Sequence, residues 1–210
     1  MVYEVLIALA SLYAITAEHI ARITRDIYVF ADVWGTYTYL SNTLVAFALL
    51  TSTFALWKRK DWRWVDYLRG GATLAIIVTG AVFALLVGTS NPVFAVNNDI
   101  MHNVVPVAVV LAWFLHPPTR PLRFSRTCWL WLVFPVTYAV FAITHGQITG
   151  DYYYNFLSID NRGWSDVLST ISQLAAAAVV VTWLLSWLQP RLQPQIATHF
   201  KAVWARQPAA

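Results

Sequence analysis

Long apolar runs alternate with short polar connections along this chain, and the runs are too long for a soluble core. Six stand out, over residues 2–20, 36–57, 71–87, 99–115, 128–144 and 165–188. A helix of about 20 residues crosses the hydrocarbon core of a bilayer. The fourth and fifth runs are short for that, and cross when tilted or where the bilayer thins. No Lys or Arg precedes the first run, which carries Glu4; that is the wrong n-region for a cleavable signal peptide, so it is expected to stay as a helix. The pattern predicts an all-α polytopic membrane bundle of six transmembrane helices. It forms a single domain over 1–188, followed by a tail over 189–210. The proline-rich stretch 116–121 and the chain after Pro190 read as turns and linker. No internal repeat marks the two halves of an inverted-repeat transporter.

Composition agrees. Of 210 residues, 59% are hydrophobic and only 11% charged, against about 25% charged in a soluble domain. Too few polar groups are present to cover a globule, which excludes a disordered chain, a basic nucleic-acid module and a charge-covered soluble enzyme. Eleven Trp and ten Tyr suit membrane interfaces. The net charge is +4, and its placement says more than its size. Lys58, Arg59, Lys60, Arg63 and Arg69 follow the second run. Arg120, Arg123 and Arg126 follow the fourth, and Arg191, Lys201 and Arg206 lie in the tail. Eleven of the fourteen bases thus fall on one side, so the positive-inside rule places both termini in the cytoplasm. Seven of the ten acids fall on the other side: Glu18, Asp26, Asp32, Asp99, Asp151, Asp160 and Asp166. The lone cysteine, Cys128, forms no internal disulfide, and no Cys/His spacing suggests a metal.

The outer ends of the runs also gather polar chemistry. Glu18 and His19, Thr38 and Asn42, Asp99 and His102, and His145 all lie there, with Tyr152, Tyr153, Tyr154 and Asn155 in the outer loop. Asp166, Thr170 and Gln173 share one face of the sixth helix. Such groups are costly against lipid, so they are expected to turn inward. Thr38 and His102 lie at matching depths, because both of their helices enter from the outside. A threonine hydroxyl needs a neighbouring base to become a nucleophile, and imidazole serves near neutral pH. Asp99 is placed to orient His102, and Asn42 to donate to an oxyanion.

Plainer roles compete with these. Membrane threonines commonly bond back to a carbonyl or pack against a neighbour. The Asp166, Thr170 and Gln173 stripe reads more simply as interhelical glue, and the three tyrosines as an aromatic belt. Histidines on different helices would also suit haem axial ligation. Nearly charge-free helix middles speak against a transporter.

Three segments carry a resemblance. Tyr37-Thr38-Tyr39-Leu40-Ser41-Asn42 resembles a Tyr-Phe-Thr-x-x-Ser-Asn signature, and His102 to Pro106 a His-x-x-x-Pro helix start. Gly150 to Leu157 is similar to a Gly-x-x-x-Tyr-Pro-Phe-Leu loop, with Asn155 in place of the proline. Together, in order over residues 36–188, they resemble a bacterial multipass membrane family distantly related to the androgen-induced gene and ADTRP proteins of animals. The animal proteins place one more residue between the histidine and the proline, and His145 stands where bacterial relatives often carry arginine. The resemblance implies an intramembrane hydrolase of fatty acid esters of hydroxy fatty acids, in a bacterial cytoplasmic membrane. Thr38 would be the nucleophile and His102 the general base. Asn42, Asp99, His145, Tyr154 and Gln173 are the supporting candidates. The partners expected are membrane lipids and a lipid-ester substrate, with no nucleic acid, no metal and no organic cofactor; no oligomeric state follows from the sequence.

Overall fold

Among the described residues, six helices long and apolar enough to cross a membrane form where the six runs lie, and most of them outlast their run. The computed structural model describes residues 2–88, 95–118 and 120–204. Helix α1 (Val2–Ile23) leads through the short α2 (Phe30–Trp34) into α3 (Tyr37–Trp57). Helices α4 (Arg63–Val87) and α5 (Ala95–Leu115) each contain one widened π-helical stretch, at Phe83–Val87 and Ile100–Val104. Then come α6 (Phe124–Thr149), a loop with the 3-10 turn Asn155–Leu157, and α7 (Ile159–Trp204), which is kinked at Gly163. No strand occurs among the described residues.

Of the boundaries that lie beyond the apolar pattern, two carry charged side chains past it. Helix α4 starts at Arg63 and α6 at Phe124, ahead of their runs. Helical hydrogen bonding continues past the hydrocarbon, where charged side chains sit in the interface. After residue 188 the backbone of α7 stays helical to Trp204, where turns and linker were expected. Good helix formers (Leu, Gln and Ala) dominate around its two prolines. Residues 205–210, with Arg206, lie outside the described residues, as does Thr119 of the 116–121 stretch.

Helix α4 is the central post. It packs against α3, α5, α6 and α7, while α1 packs against α3 and α5. Small side chains at the crossings bring the backbones together: Ala8, Ala46, Ala48, Ala72 and Ala112 are all buried in one cluster. That is how membrane helices gain dispersion contact without a hydrophobic drive. Gly70 serves the same purpose, since the Trp131 ring from α6 occupies the space a Cβ would need. The Trp131 indole N–H donates to the Tyr67 carbonyl at 2.9 Å and fixes that contact.

Ion pairs define one end of the bundle. The Arg69 guanidinium lies 3.0 Å from the fully buried Glu4 carboxylate of α1, and donates to the His116 carbonyl at 2.9 Å. Arg120 meets Asp61 at 2.7 Å, joining the loops after α5 and α3. The start of α1 and both loops therefore share what is called here the N-terminal face. Thr38 and His102 lie toward the opposite face, at the start of α3 and in the first half of α5. Around the bundle Trp129, Val133, Val140 and Ile148 of α6 are exposed, as suits helices solvated by lipid.

Candidate functional site

Thr38 is the second residue of α3, where backbone N–H groups have no partner within the helix. The helix begins at Thr36, whose hydroxyl turns back to the Val33 carbonyl (2.9 Å) and caps none of those groups. Tyr154 lies beside this first turn and lines the same cavity as Thr38. Burial, the largest effect, pushes the Tyr154 phenol above its usual value near 10, against the lowering influence of the Thr38 side chain and of the Tyr37 and Thr38 backbone. It remains a proton donor at neutral pH.

His102 owes its position to Pro106. Proline has no N–H to return to the carbonyl four residues back, and the helix widens over Ile100–Val104. The His102 carbonyl then faces Gly80 of α4, where a Cβ would stand only 3.2 Å from it and from Pro106. The imidazole stacks on Phe83 of α4, with ring centroids 4.1 Å apart and planes at 24°.

The two side chains meet. Thr38 Oγ1 lies 3.1 Å from His102 Nε2, and His102 Nδ1 lies 2.9 Å from the Asn98 carbonyl. A carbonyl only accepts, so Nδ1 carries the ring hydrogen and Nε2 presents its lone pair to the threonine hydroxyl. This is the arrangement of an alcohol nucleophile beside its base. Both residues line a cavity of about 160 Å³, together with Tyr37, Tyr154 and Thr79. From this polar head the cavity runs down between apolar walls: Val78 and Val82 of α4, Leu132 and Val136 of α6, Leu174 and Ala178 of α7. Ile171 to Ala178 span about 10 Å at 1.5 Å per residue.

The loop after α6 closes the head of the cavity. Gly150 ends that helix at φ 75°, and Gly146 leaves room for the Tyr152 ring against the helix. Tyr153 stacks on His145 at 4.5 Å, while Tyr154 packs between Tyr138 and Phe156. The Tyr138 hydroxyl donates to the Gly35 carbonyl at 3.0 Å, tying α6 to the start of α3. Of the three loop tyrosines only Tyr154 lines the cavity; Tyr152 packs against Gly146 and Tyr153 on His145.

Of the five supporting candidates, only Tyr154 reaches the cavity. Asn42 is fully buried, but its amide donates to the carbonyls of Thr38 (2.9 Å) and Met101 (3.4 Å) while its oxygen accepts from Ser11 (3.1 Å). Four residues carry it about 40° beyond Thr38 around the helix, so it pins α1, α3 and α5 together instead of facing an oxyanion. Asp99 accepts from Asn103 at 2.6 Å and is exposed; the Asn98 carbonyl orients His102 in its stead. His145 donates through Nδ1 to the Asp151 carbonyl (3.0 Å) and accepts from the Tyr153 hydroxyl (3.3 Å), so it holds the loop. Gln173 is exposed and bonds to Ser169 on its own helix at 3.3 Å. On α7 the inward face is Val167, Ile171, Leu174 and Ala178, which rotates Asp166, Thr170 and Gln173 outward.

Sequence reasoning passed over Phe83, Tyr138 and the Asn98 carbonyl. The first two sit inside apolar runs, and a backbone carbonyl carries no residue signature. The histidines of this end do not share a space. His19 bonds to the Ile15 carbonyl at 2.7 Å and is ringed by Tyr28, Trp34 and Tyr39, apart from the cavity that holds His102. Among the described residues no group of three His, Cys, Asp or Glu side chains is placed to hold a metal ion. Comparison of the chain with family models, with curated proteins and with solved structures finds no match.

Proposed function

We propose that the protein is an intramembrane hydrolase of lipid esters, with Thr38 as nucleophile and His102 as general base. The observation that carries this reading is the 3.1 Å contact between Thr38 Oγ1 and an imidazole nitrogen whose lone pair is free to accept, at the head of an apolar cavity. An acyl chain fits the walls and brings its ester carbonyl to the polar head. Thr38 Oγ attacks that carbon while its proton passes to His102 Nε2. The tetrahedral intermediate collapses, the C–O bond to the alcohol breaks, and His102 returns the proton to the leaving oxygen. Water then attacks the acyl-threonine, giving a proton to His102. Collapse frees the fatty acid and Thr38 takes the proton back.

Tyr154 is the donor for the oxyanion. Its phenol lies beside the first turn of α3, where the helix dipole favours negative charge. Its hydrogen follows the charge that develops on the carbonyl oxygen, which is bonded to the carbon that Thr38 Oγ attacks. The positive-inside distribution of bases puts the N-terminal face in the cytoplasm and the site toward the outer leaflet.

Purified protein offered a panel of long-chain esters with differing alcohols is expected to turn over at least one of them. Tyr154→Phe is expected to lower kcat on that ester by roughly 10²-fold with little change in KM, because the donor acts on the transition state. A loss confined to KM would assign Tyr154 to binding instead. No turnover of any ester by the wild type would end the hydrolase reading.

A further inference from the structure

We propose that the groove at the N-terminal face between α3, α4 and α6 binds an anionic phospholipid. Arg63 and Arg126 hold its phosphate, and one acyl chain lies along Leu44, Leu130 and Val133. The groove encloses about 600 Å³, and both arginines line it with Trp64, Tyr67 and Trp131. Helices α4 and α6 pack together and both start at this face, so Arg63, first in α4, and Arg126, in the first turn of α6, stand at one level.

Charge selects the ligand. Among the described residues neither Arg63 nor Arg126 has an ion-pair partner, whereas Arg69 is engaged by Glu4 and Arg120 by Asp61. Asp66, one turn along α4, is shared electrostatically among Arg69, Arg120 and Arg63, and does not line the groove. The Arg126 guanidinium lies 5.7 Å from the Tyr67 ring centroid, which holds it at the groove. The Tyr67 hydroxyl is buried and has no hydrogen-bond partner among the described residues. Two guanidiniums beside interfacial tryptophans match a phosphate diester at headgroup depth.

Depth selects a lipid over a free phosphate. From Arg63 to Ala72 the groove wall descends about 13 Å into the membrane, and below the arginines its lining is Leu44, Leu68, Leu130, Val133 and Phe134. A headgroup alone would leave that wall unfilled. The groove lies at the opposite end of the bundle from Thr38 and Tyr154, so this proposal stands apart from the hydrolase reading.

Thermal unfolding of the full chain in neutral detergent tests it, with phosphatidylglycerol compared against phosphatidylcholine of identical acyl chains. Phosphatidylglycerol is expected to raise Tm by about 3 °C or more above phosphatidylcholine. An Arg63→Gln/Arg126→Gln variant is expected to lose that difference, while Arg59→Gln/Lys60→Gln, with the same change in charge outside the groove, keeps it. Leu130→Trp, which fills the groove and leaves both arginines, is expected to lose it as well. Equal stabilisation by the two lipids, or equal losses in the two double variants, overturns the proposal. So does a full shift produced by glycerol 3-phosphate alone, which would place a free phosphate at the arginines.

Discussion

Replacing Thr38 with alanine is expected to cut lipid-ester turnover by about 10³-fold or more, and His102→Ala by about 10²- to 10⁴-fold. The two side chains act as one unit, in which the base is useless without the hydroxyl and the hydroxyl weak without the base. The double variant is therefore expected to be no worse than Thr38→Ala alone. Thr38→Ser, which keeps an oxygen at the same place, is expected to retain measurable activity. None of these changes should unfold the bundle. Asn42 holds the start of α3 through the Thr38 backbone carbonyl, which every substitution keeps. Steady-state hydrolysis by purified variants checks the series, and additive losses in the double variant would contradict a shared mechanism.

The largest stability effect is expected far from that site. Arg69→Ala is expected to destabilise the protein by about 3–5 kcal/mol, because it leaves the Glu4 carboxylate buried without its partner. Glu4 is fully buried, and its oxygens make no hydrogen bond among the described residues; what holds it is the Arg69 guanidinium 3.0 Å away. His116 Nδ1 is 3.9 Å from the same carboxylate, too far for a hydrogen bond; burial, the largest effect, lowers its pKa from the usual 6.5 and Glu4 raises it. Removing both charges together, as Glu4→Leu/Arg69→Met, is expected to recover most of the loss, since a packed apolar pair costs no desolvation. Unfolding midpoints of the two variants and the wild type decide the matter; equal destabilisation by the single and double changes would show that Arg69 acts through packing alone.

Much of this architecture was legible before any coordinates. The six spans follow from apolar length, which a bilayer enforces; matched depth allows Thr38 to approach His102, and the packing of α3 beside the widened turn of α5 brings them together. Other features depend on rotation about a helix axis, which residue type does not reveal. Asn42 and Gln173 each lie at a spacing that suggests the site, yet a rotation of tens of degrees turns Asn42 toward Ser11 and Gln173 outward. Asp99 was the obvious orienter for His102 because it is charged. The group that does so is a backbone carbonyl at Asn98, exposed to the ring by the same widened turn that Pro106 imposes. Polar residue types thus mark the end of the bundle where the head of the cavity lies, and helix phase decides which of them face it.

The central claim is that Thr38 becomes acylated, and mass spectrometry of the chain quenched during ester turnover tests it most directly. The expected result is a single added acyl group on the peptide that contains Thr38, absent in Thr38→Ala and in His102→Ala. Undiminished turnover with the acyl group on another residue, or with no acylated protein and full activity in Thr38→Ala, would contradict it.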